Sequence, residues 1–452
     1  GVCGTLNLGS IPRGGTKKMS KKEKTKPSKD LPLGFFDRQE EELLIRDSVI
    51  STIKDIMVKY GFKYLETPSF EYSDSIGKFL PDKERPDEGV FSFKDGSQWL
   101  SLRYDLTAPL ARYVAKNYRE LPRPFKRYQL GTVWRNEKPG PGRFKEFLQF
   151  DADYVGTKNL MADAELCVMI SEIFKKCGLT EQDFTIKFSS RQLIEEIFSI
   201  CKINSKDTRL KVLRSLDKVD RLGWNEVVKL LKTGRKDPSG DFTEGANLSK
   251  DQIDYLSSQL KEPSLMYVSG AEAKAGSLKE ITEFKENLNL FGLKNFKFDP
   301  TVIRGLEYYT GIIFEINLNF DIQNYDGQRI QFGSIGGGGR YDNLVNNFGD
   351  FDCPATGISI GLDRFVFALM QKKDSKIKIL RPVVICVFDE RQKQKYIEIL
   401  SKLRMSNISS EIYPGEGKLK KQMEYANKIG SPAVILYGDN EIKSGKATLK
   451  NL

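Results

Sequence analysis

Trp134-Arg135-Asn136-Glu137, then Lys138-Pro139-Gly140-Pro141-Gly142, then Arg143-Phe144-Lys145-Glu146-Phe147-Leu148-Gln149-Phe150-Asp151-Ala152-Asp153 form the stretch on which the fold turns. The central Pro/Gly run can continue neither a strand nor a helix, so it is a loop between strands read over 125–132 and 144–154. Strands joined by turns and loops, with no helix between them, build an antiparallel sheet. Along the second strand Gln149, Asp151 and Asp153 share one face with apolar Phe147, because strand side chains alternate. A charged face of that kind is either solvated or the floor of a pocket, and Phe147 points to the pocket. Arg135 on the first strand suits a phosphate, which a guanidinium grips through two parallel N–H donors.

Upstream, apolar residues at Ile45, Val49, Ile53, Ile56, Met57 and Tyr60 recur at helical spacing. Gly61 stops that helix, and 62–66 alternates as a strand up to Pro68. Asp95-Gly96 marks a hairpin turn between 90–92 and 99–102. Asp105 and Thr107 stand where a strand meets a helix over 106–116. Plain N-capping is the favoured reading of these two, and holding an ammonium group in a cleft is the other.

Downstream, residues 190–296 turn charged and helical, with a polar break at 236–246. Strands return at 297–298 and 311–317, and glycine-dense 333–341 lets a backbone approach a ligand closely. Gly357-Ile358-Ser359-Ile360-Gly361-Leu362-Asp363-Arg364 leads into an apolar helix, and Arg364 at its start suits a polyphosphate. Arg304 sits among apolar residues and glycine, an odd place for a solubilising charge. Tyr308 and Tyr309 offer hydroxyls at a site edge or belong to an ordinary aromatic core. From Pro382 onward β-α-β-α-β alternation predicts a small α/β domain with a mainly parallel sheet. The sequence stops soon after its third strand, so that domain is expected to be clipped.

Composition narrows the chemistry. With no histidine among 452 residues, no Ser-His-Asp triad, Cys-His dyad, HExxH zinc site or imidazole base exists. The net charge of +11 favours an anionic partner, yet eight cations against two anions fall within 1–30, leaving the remainder only mildly basic. Six scattered cysteines without a CxxC pair read as reduced thiols of a cytoplasmic protein, with no zinc expected. No apolar run is long enough to span a bilayer, so no membrane partner is expected. Neither a dinucleotide fingerprint nor a P-loop is present. A nucleotide site built on an antiparallel sheet, with arginines in place of the P-loop lysine, is what remains.

Taken together, these motifs resemble class II aminoacyl-tRNA synthetases, and among them the histidyl-tRNA synthetase family. The helix, strand and Pro68 look like motif 1, the dimer-forming element; Arg135 to Asp153 looks like motif 2, and Gly357 to Arg364 like motif 3. Arg304-Gly305-Leu306-Glu307-Tyr308-Tyr309 and Gly338-Gly339-Arg340-Tyr341-Asp342 resemble the two histidine-specific elements, with Glu307 in place of the more usual Asp. The likeness runs from about Leu31 to the C-terminus.

The resemblance implies an α+β fold, with an antiparallel sheet flanked by helices. Expected divisions are a disordered basic tail (1–30), a catalytic core (31–189 and 297–371), a helical insertion (190–296), a linker (372–381) and an anticodon-binding domain (382–452). It implies a homodimer that activates L-histidine with ATP and Mg²⁺ and passes it to tRNA(His). By analogy, Arg135 and Arg304 are the catalytic residues and grip the α-phosphate. Arg364 and Arg143 brace the distal phosphates, and Glu137 approaches the adenine or its Mg²⁺. Asp105, Thr107 and Gln149 hold the amino group, with Leu106 also lining the histidine site. Asp153 and Tyr309 bond the two ring nitrogens, and Tyr308 stands beside them. None of these positions calls for an imidazole. A rival within the same fold is a regulatory subunit of ATP phosphoribosyltransferase, which charges no tRNA. Those relatives lack the C-terminal domain and usually lose motif residues, whereas Arg135, Arg304 and Arg364 are all present here.

Overall fold

The computed structural model describes residues 28–77, 89–137, 143–237, 240–261, 275–303, 308–323, 327–330, 332–372 and 381–452. Eight strands form the central sheet: β1 (Lys63–Tyr64), β2 (Phe125–Trp134), β3 (Glu146–Val155), β4 (Phe184–Ser190), β5 (Phe296–Phe298), β6 (Ile312–Leu318), β7 (Ser334–Arg340) and β8 (Ala355–Gly361). Their order is β1-β2-β3-β8-β7-β6-β4-β5. The inner pairings are all antiparallel, as the loop at 138–142 led us to expect. The two edges differ: β1 runs parallel to β2, and β5 parallel to β4. Between β4 and β5 the chain passes through the helices of 191–290, which supply the crossover that a parallel pair needs.

One face of this sheet is apolar. Tyr128, Leu130, Phe150, Ala152, Phe188, Phe314, Ile358 and Ile360 pack there in a single buried cluster. Helices α1 (Glu40–Lys59), α3 (Leu160–Lys176), α4 (Ala275–Leu290) and α5 (Leu362–Gln371) cover it. Helix α1 buries Ile45, Val49, Ile53, Ile56 and Met57, and Gly61, at φ 72°, turns the chain after it. Helix α3 and strand β4 are not anticipated by the sequence reading. Helix α3 is buried over most of its circumference, so it shows no narrow apolar stripe. Strand β4 buries Phe184, Ile186 and Phe188 in a legible period of two.

The glycine-dense segment proves to be the central strand β7. A Cβ on Gly338 would lie 2.0 Å from the Gly357 carbonyl oxygen, so glycine there permits close strand packing. Outside the main sheet, 70–72, 98–102 and 92–95 form a three-stranded sheet whose hairpin turns at Gly96. The polar break at 236–246 lies at a short hairpin, Gly234–Lys236 against Phe242–Glu244. The C-terminal sheet has parallel strands Ser410–Ile412, Val383–Ile385 and Ala433–Leu436, with Thr448–Asn451 antiparallel at its edge. That fourth strand lies beyond the three expected. Cys167, Cys177, Cys201, Cys353 and Cys386 are unpaired.

Candidate active site

The second face of the sheet carries polar residues in rows across the strands. Arg127, Asp153, Gly357 and Gly339 lie side by side; Gln129, Asp151, Ser359, Gly337 and Glu315 form the next row; Gly131, Gln149 and Gly361 form a third. Gly357 shapes the floor, because a Cβ there would come 2.0 Å from Asp153 Oδ1.

Helix α2 (Thr107–Lys116) starts at the margin of these rows. Asp105 Oδ1 accepts the backbone N–H groups of Thr107 and Ala108 at 3.2 and 3.0 Å, so the N-cap read from the sequence is real. The same carboxyl is buried, which raises its pKa. The helix N–H groups and the charges of Arg135 and Arg127 pull against that rise.

Asp151 gathers two neighbours. Gln149 Nε2 donates to its Oδ1 at 2.8 Å, and Thr107 Oγ1 donates to its Oδ2 at 3.2 Å. Asp153 is bracketed by the Tyr341 hydroxyl, which donates to Oδ1, and by Arg127 Nη2, 3.0 Å from Oδ2. Arg127 is fully buried and also donates to the Leu106 carbonyl at 2.8 Å. Its Nε and Nη1 have no hydrogen-bond partner among the described residues. Burial, and then the charge of Asp153, push Asp151 up to about 7 against the pull of Arg127. Burial likewise raises Asp153, while Arg127 and the Tyr341 hydroxyl hold it down.

A cationic cluster adjoins these carboxyls. Arg135 Nε donates to the Tyr104 carbonyl at 3.3 Å, and its guanidinium lies 4.5 Å from the Tyr104 ring centroid and 5.1 Å from that of Phe147. The Tyr104 hydroxyl donates to exposed Glu137 at 2.6 Å. Arg364, in the first turn of α5, donates to the Phe332 carbonyl and lies 4.6 Å over the Phe332 ring. Burial, then the like charges of Arg143 and Arg135, lower Arg364 to about 10, with Glu315 opposing. A partly buried cation that also feels two like charges is a place where an anion would bring relief. A cavity of about 440 Å³ lies beside Phe332 and Gly333, with Lys187, Asn317, Asp321 and Arg329 also lining it, and neither Arg364 nor the polar rows form its wall. Next to Arg364, buried Asp363 accepts from Arg38 Nη2 at 2.6 Å and from the Leu148 N–H at 2.8 Å, tying α5 to β3.

A family model described as histidyl-tRNA synthetase matches residues 34–365. The chain belongs to the histidyl-tRNA synthetase family. A model described as an anticodon binding domain matches 382–452. Similar to the chain is the Histidine--tRNA ligase of Bartonella quintana (strain Toulouse), 43% identical, covering 96% of this chain and 90% of that protein. The Histidine--tRNA ligase of Brucella suis biovar 1 (strain 1330) is 42% identical, covering 93% and 88%. In fold, the chain matches the histidyl-tRNA synthetase of Nostoc sp. PCC 7120 with a TM-score of 0.70 at 24% identity, covering 94% of this chain and 95% of that one. It also matches a Bacillus halodurans C chain described as an ATP phosphoribosyltransferase regulatory subunit/histidyl-tRNA synthetase, with a TM-score of 0.66 at 21% identity, covering 88% and 97%.

Set against the residues expected from the histidyl-tRNA synthetase resemblance, Asp105, Thr107, Gln149 and Asp153 converge on the polar rows, and Arg135, Arg143 and Arg364 adjoin them. Leu106 is fully buried, facing Gly131 with its side chain and Arg127 with its carbonyl. Tyr309 is buried with Val302 and Ile313, in keeping with the aromatic-core reading. Tyr308 stands edge-on to Tyr341 at 5.8 Å. Arg304 with 305–307, and the loop 138–142, lie outside the described residues. Three residues that contact these carboxyls or lie among them were not singled out from the sequence: Arg127, Asp151 as a shared hydrogen-bond acceptor, and Tyr341. Strand parity held the signal for the first two, since Arg127 has the parity of Gly131 on β2 and Asp151 that of Gln149 on β3. Among the described residues no three Cys, Asp or Glu side chains gather as a metal cage.

Proposed function

We propose that this chain is a histidine–tRNA ligase that works in two steps on the polar face of the sheet. The carboxylate of L-histidine attacks the α-phosphate of ATP, forming histidyl-adenylate and releasing pyrophosphate. The 3′-terminal ribose of tRNA(His) then takes the histidyl group. The observation that carries this reading is the placement of partly buried Arg364, which feels the charges of Arg143 and Arg135, on the same face of the sheet as the buried carboxyls of Asp105, Asp151 and Asp153. Such a site takes a polyphosphate at one end and a cationic amine at the other. Arg135, between them, would bridge the histidine carboxylate and the α-phosphate together with Arg304, while Arg143 and Arg364 hold the distal phosphates. Glu137 would approach the adenine or the Mg²⁺ that arrives with ATP. Asp105, Thr107 and Gln149 would take the substrate ammonium, with Leu106 lining that site. Asp153, Tyr309 and neighbouring Tyr308 would read the ring, and an apolar isostere would leave those groups unpaired.

Residues 31–189 and 297–371 would form the catalytic core, 190–296 an insertion, and 382–452 the part that reads the anticodon. Phe70, Tyr72 and Phe93 expose their rings on one face of the three-stranded sheet, an apolar patch that suits a second copy of the chain in a homodimer. No described helix is long and apolar enough to cross a membrane, and unpaired cysteines suit the cytoplasm.

Histidine-dependent exchange of labelled pyrophosphate into ATP tests the reading. Absence of exchange, together with tRNA-free binding to a phosphoribosyltransferase, would move the chain to the regulatory class. Arg304→Ala should lower adenylate formation far more than histidine affinity, and equal losses would remove its transition-state role.

A further inference from the structure

We infer that Asp151 is a positioning residue that sets the hydrogen-bond polarity of the ammonium subsite. The inference rests on the assignment of Asp105, Thr107 and Gln149 to the substrate amino group. An ammonium group brings three N–H donors and no acceptor, so its site must present acceptors only. The Asp105 carboxylate does so by its nature. Thr107 and Gln149 do not: a hydroxyl and a primary amide each carry both functions, and either can turn a donor toward the substrate.

Asp151 removes that freedom. Above the value of about 7 to which burial raises it, Asp151 is a carboxylate that accepts and cannot donate, so the partners at its oxygens must aim their donors inward. Gln149 commits Nε2 to Oδ1 at 2.8 Å, which turns its Oε1 away from Asp151 and makes it available to the substrate. Thr107 commits its hydroxyl proton to Oδ2 at 3.2 Å, which leaves the Oγ1 lone pairs. Ser359, on the neighbouring strand of the same row, also bonds to this carboxyl. Asp151 is itself fully buried, with both oxygens occupied, so it acts on the substrate through its two neighbours. Arg127 makes the arrangement tenable. Reaching from β2 in the adjacent row, it supplies the buried positive charge that two carboxylates on one strand require.

With Asn in place of Asp151, the side-chain amide can donate as well as accept, and Gln149 can rotate to meet the ammonium with its own NH₂. Binding of histidine, histidinol and 3-(imidazol-4-yl)propanoate, the analogue without an amino group, is measured calorimetrically on the full chain at about pH 8, above the value of about 7 at which Asp151 ionises. Asp151→Asn should weaken histidine and histidinol about 10- to 100-fold, the effect of a hydrogen bond to a charged group. The amine-free analogue should bind as before. Adding Gln149→Glu to Asp151→Asn should restore most of the loss, because a carboxylate at that position needs no orienting. Equal weakening of all three ligands, no weakening, or no recovery in the double variant would overturn the role given to Asp151. Asp105→Asn, which keeps the helix cap, tests the underlying assignment separately. If histidinol binds it as tightly as the unaltered protein, the ammonium subsite lies elsewhere.

Discussion

The same strands build both faces of the central sheet, and the two faces obey opposite rules. On the covered face Phe150, Ala152, Ile358 and Phe314 are buried to at most 1% exposure among other apolar side chains, and each is stabilised by leaving water. On the other face Arg127, Asp151 and Asp153 are just as buried, yet every one of them costs solvation energy that only a specific partner offsets. Phe150 stands between Gln149 and Asp151 in the chain, and Ala152 between Asp151 and Asp153. The apolar side therefore anchors the backbone that carries the polar side. Precision at the site is inherited from packing behind it, because the core is close-packed and tolerates little displacement.

Substitutions on the two faces should separate function from stability. The largest effect belongs to Arg364→Gln, which should lower pyrophosphate exchange by about 100- to 1000-fold, as loss of a charge-stabilising donor does. Its thermal midpoint should hold or rise, since the cost of burying the charge, and then the repulsion from Arg143 and Arg135, disappears. A large fall in the midpoint would break the comparison. Phe314→Ala, on the covered face, should cost about 3–5 kcal/mol in urea unfolding. The protein that remains folded should keep its histidine affinity, and a matching loss of affinity would show that the faces are not separable.

Asp151→Asn sharpens the contrast through pH. The groups facing Asp151 are Arg127 from β2, Gln149 and Asp153 from its own strand, Thr107 from α2, Ser359 from β8, and the charge of Arg103. Its folded pKa, about 7, lies above the ordinary carboxyl value of 3.8. Between those values the folded state holds the proton more tightly than the unfolded state does. Stability from this group is thus present at low pH and is lost as pH rises through about 7. Asn carries no such charge, so the variant should unfold a few degrees higher than the unaltered chain at pH 8, and the gap should shrink at pH 5.5. A gap that does not change with pH would remove the burial account. The smallest effect belongs to the surface: Lys59→Ala breaks an exposed pair with Glu172 at 2.7 Å and should cost less than about 1 kcal/mol.

Much of this was legible in residue order. Helix α1, the pair β2 and β3, strand β8 leading into α5, and the alternating C-terminal elements all follow from periodicity and from glycine or proline punctuation. Helix α3 was not, because a helix buried on most sides has no polar face to reveal its period. The parallel edges were not, because β1 and β5 are only two and three residues long and their partners lie far away in sequence. Gly336 to Gly339 suggested a close backbone approach to a ligand and not a strand, since a strand without side chains has no alternation to display. Within the site, Asp105 supported capping and ligand readings alike. Its carboxyl does cap α2, and burial near Arg135 and Arg127 keeps the second reading alive.

By itself, the sequence determined which side chains share a face, because strand geometry alternates with a period of two whatever surrounds it. It also excluded imidazole chemistry outright. Only the tertiary structure decided which of those residues meet. Arg127 reaches Asp153 across one register, and Tyr341 reaches the same carboxyl from the far side of β8. Thr107 reaches Asp151 because α2 starts beside the second row. Such contacts join residues tens to hundreds of positions apart. They exist because strand register and the missing Cβ of Gly357 set distances that no local pattern encodes.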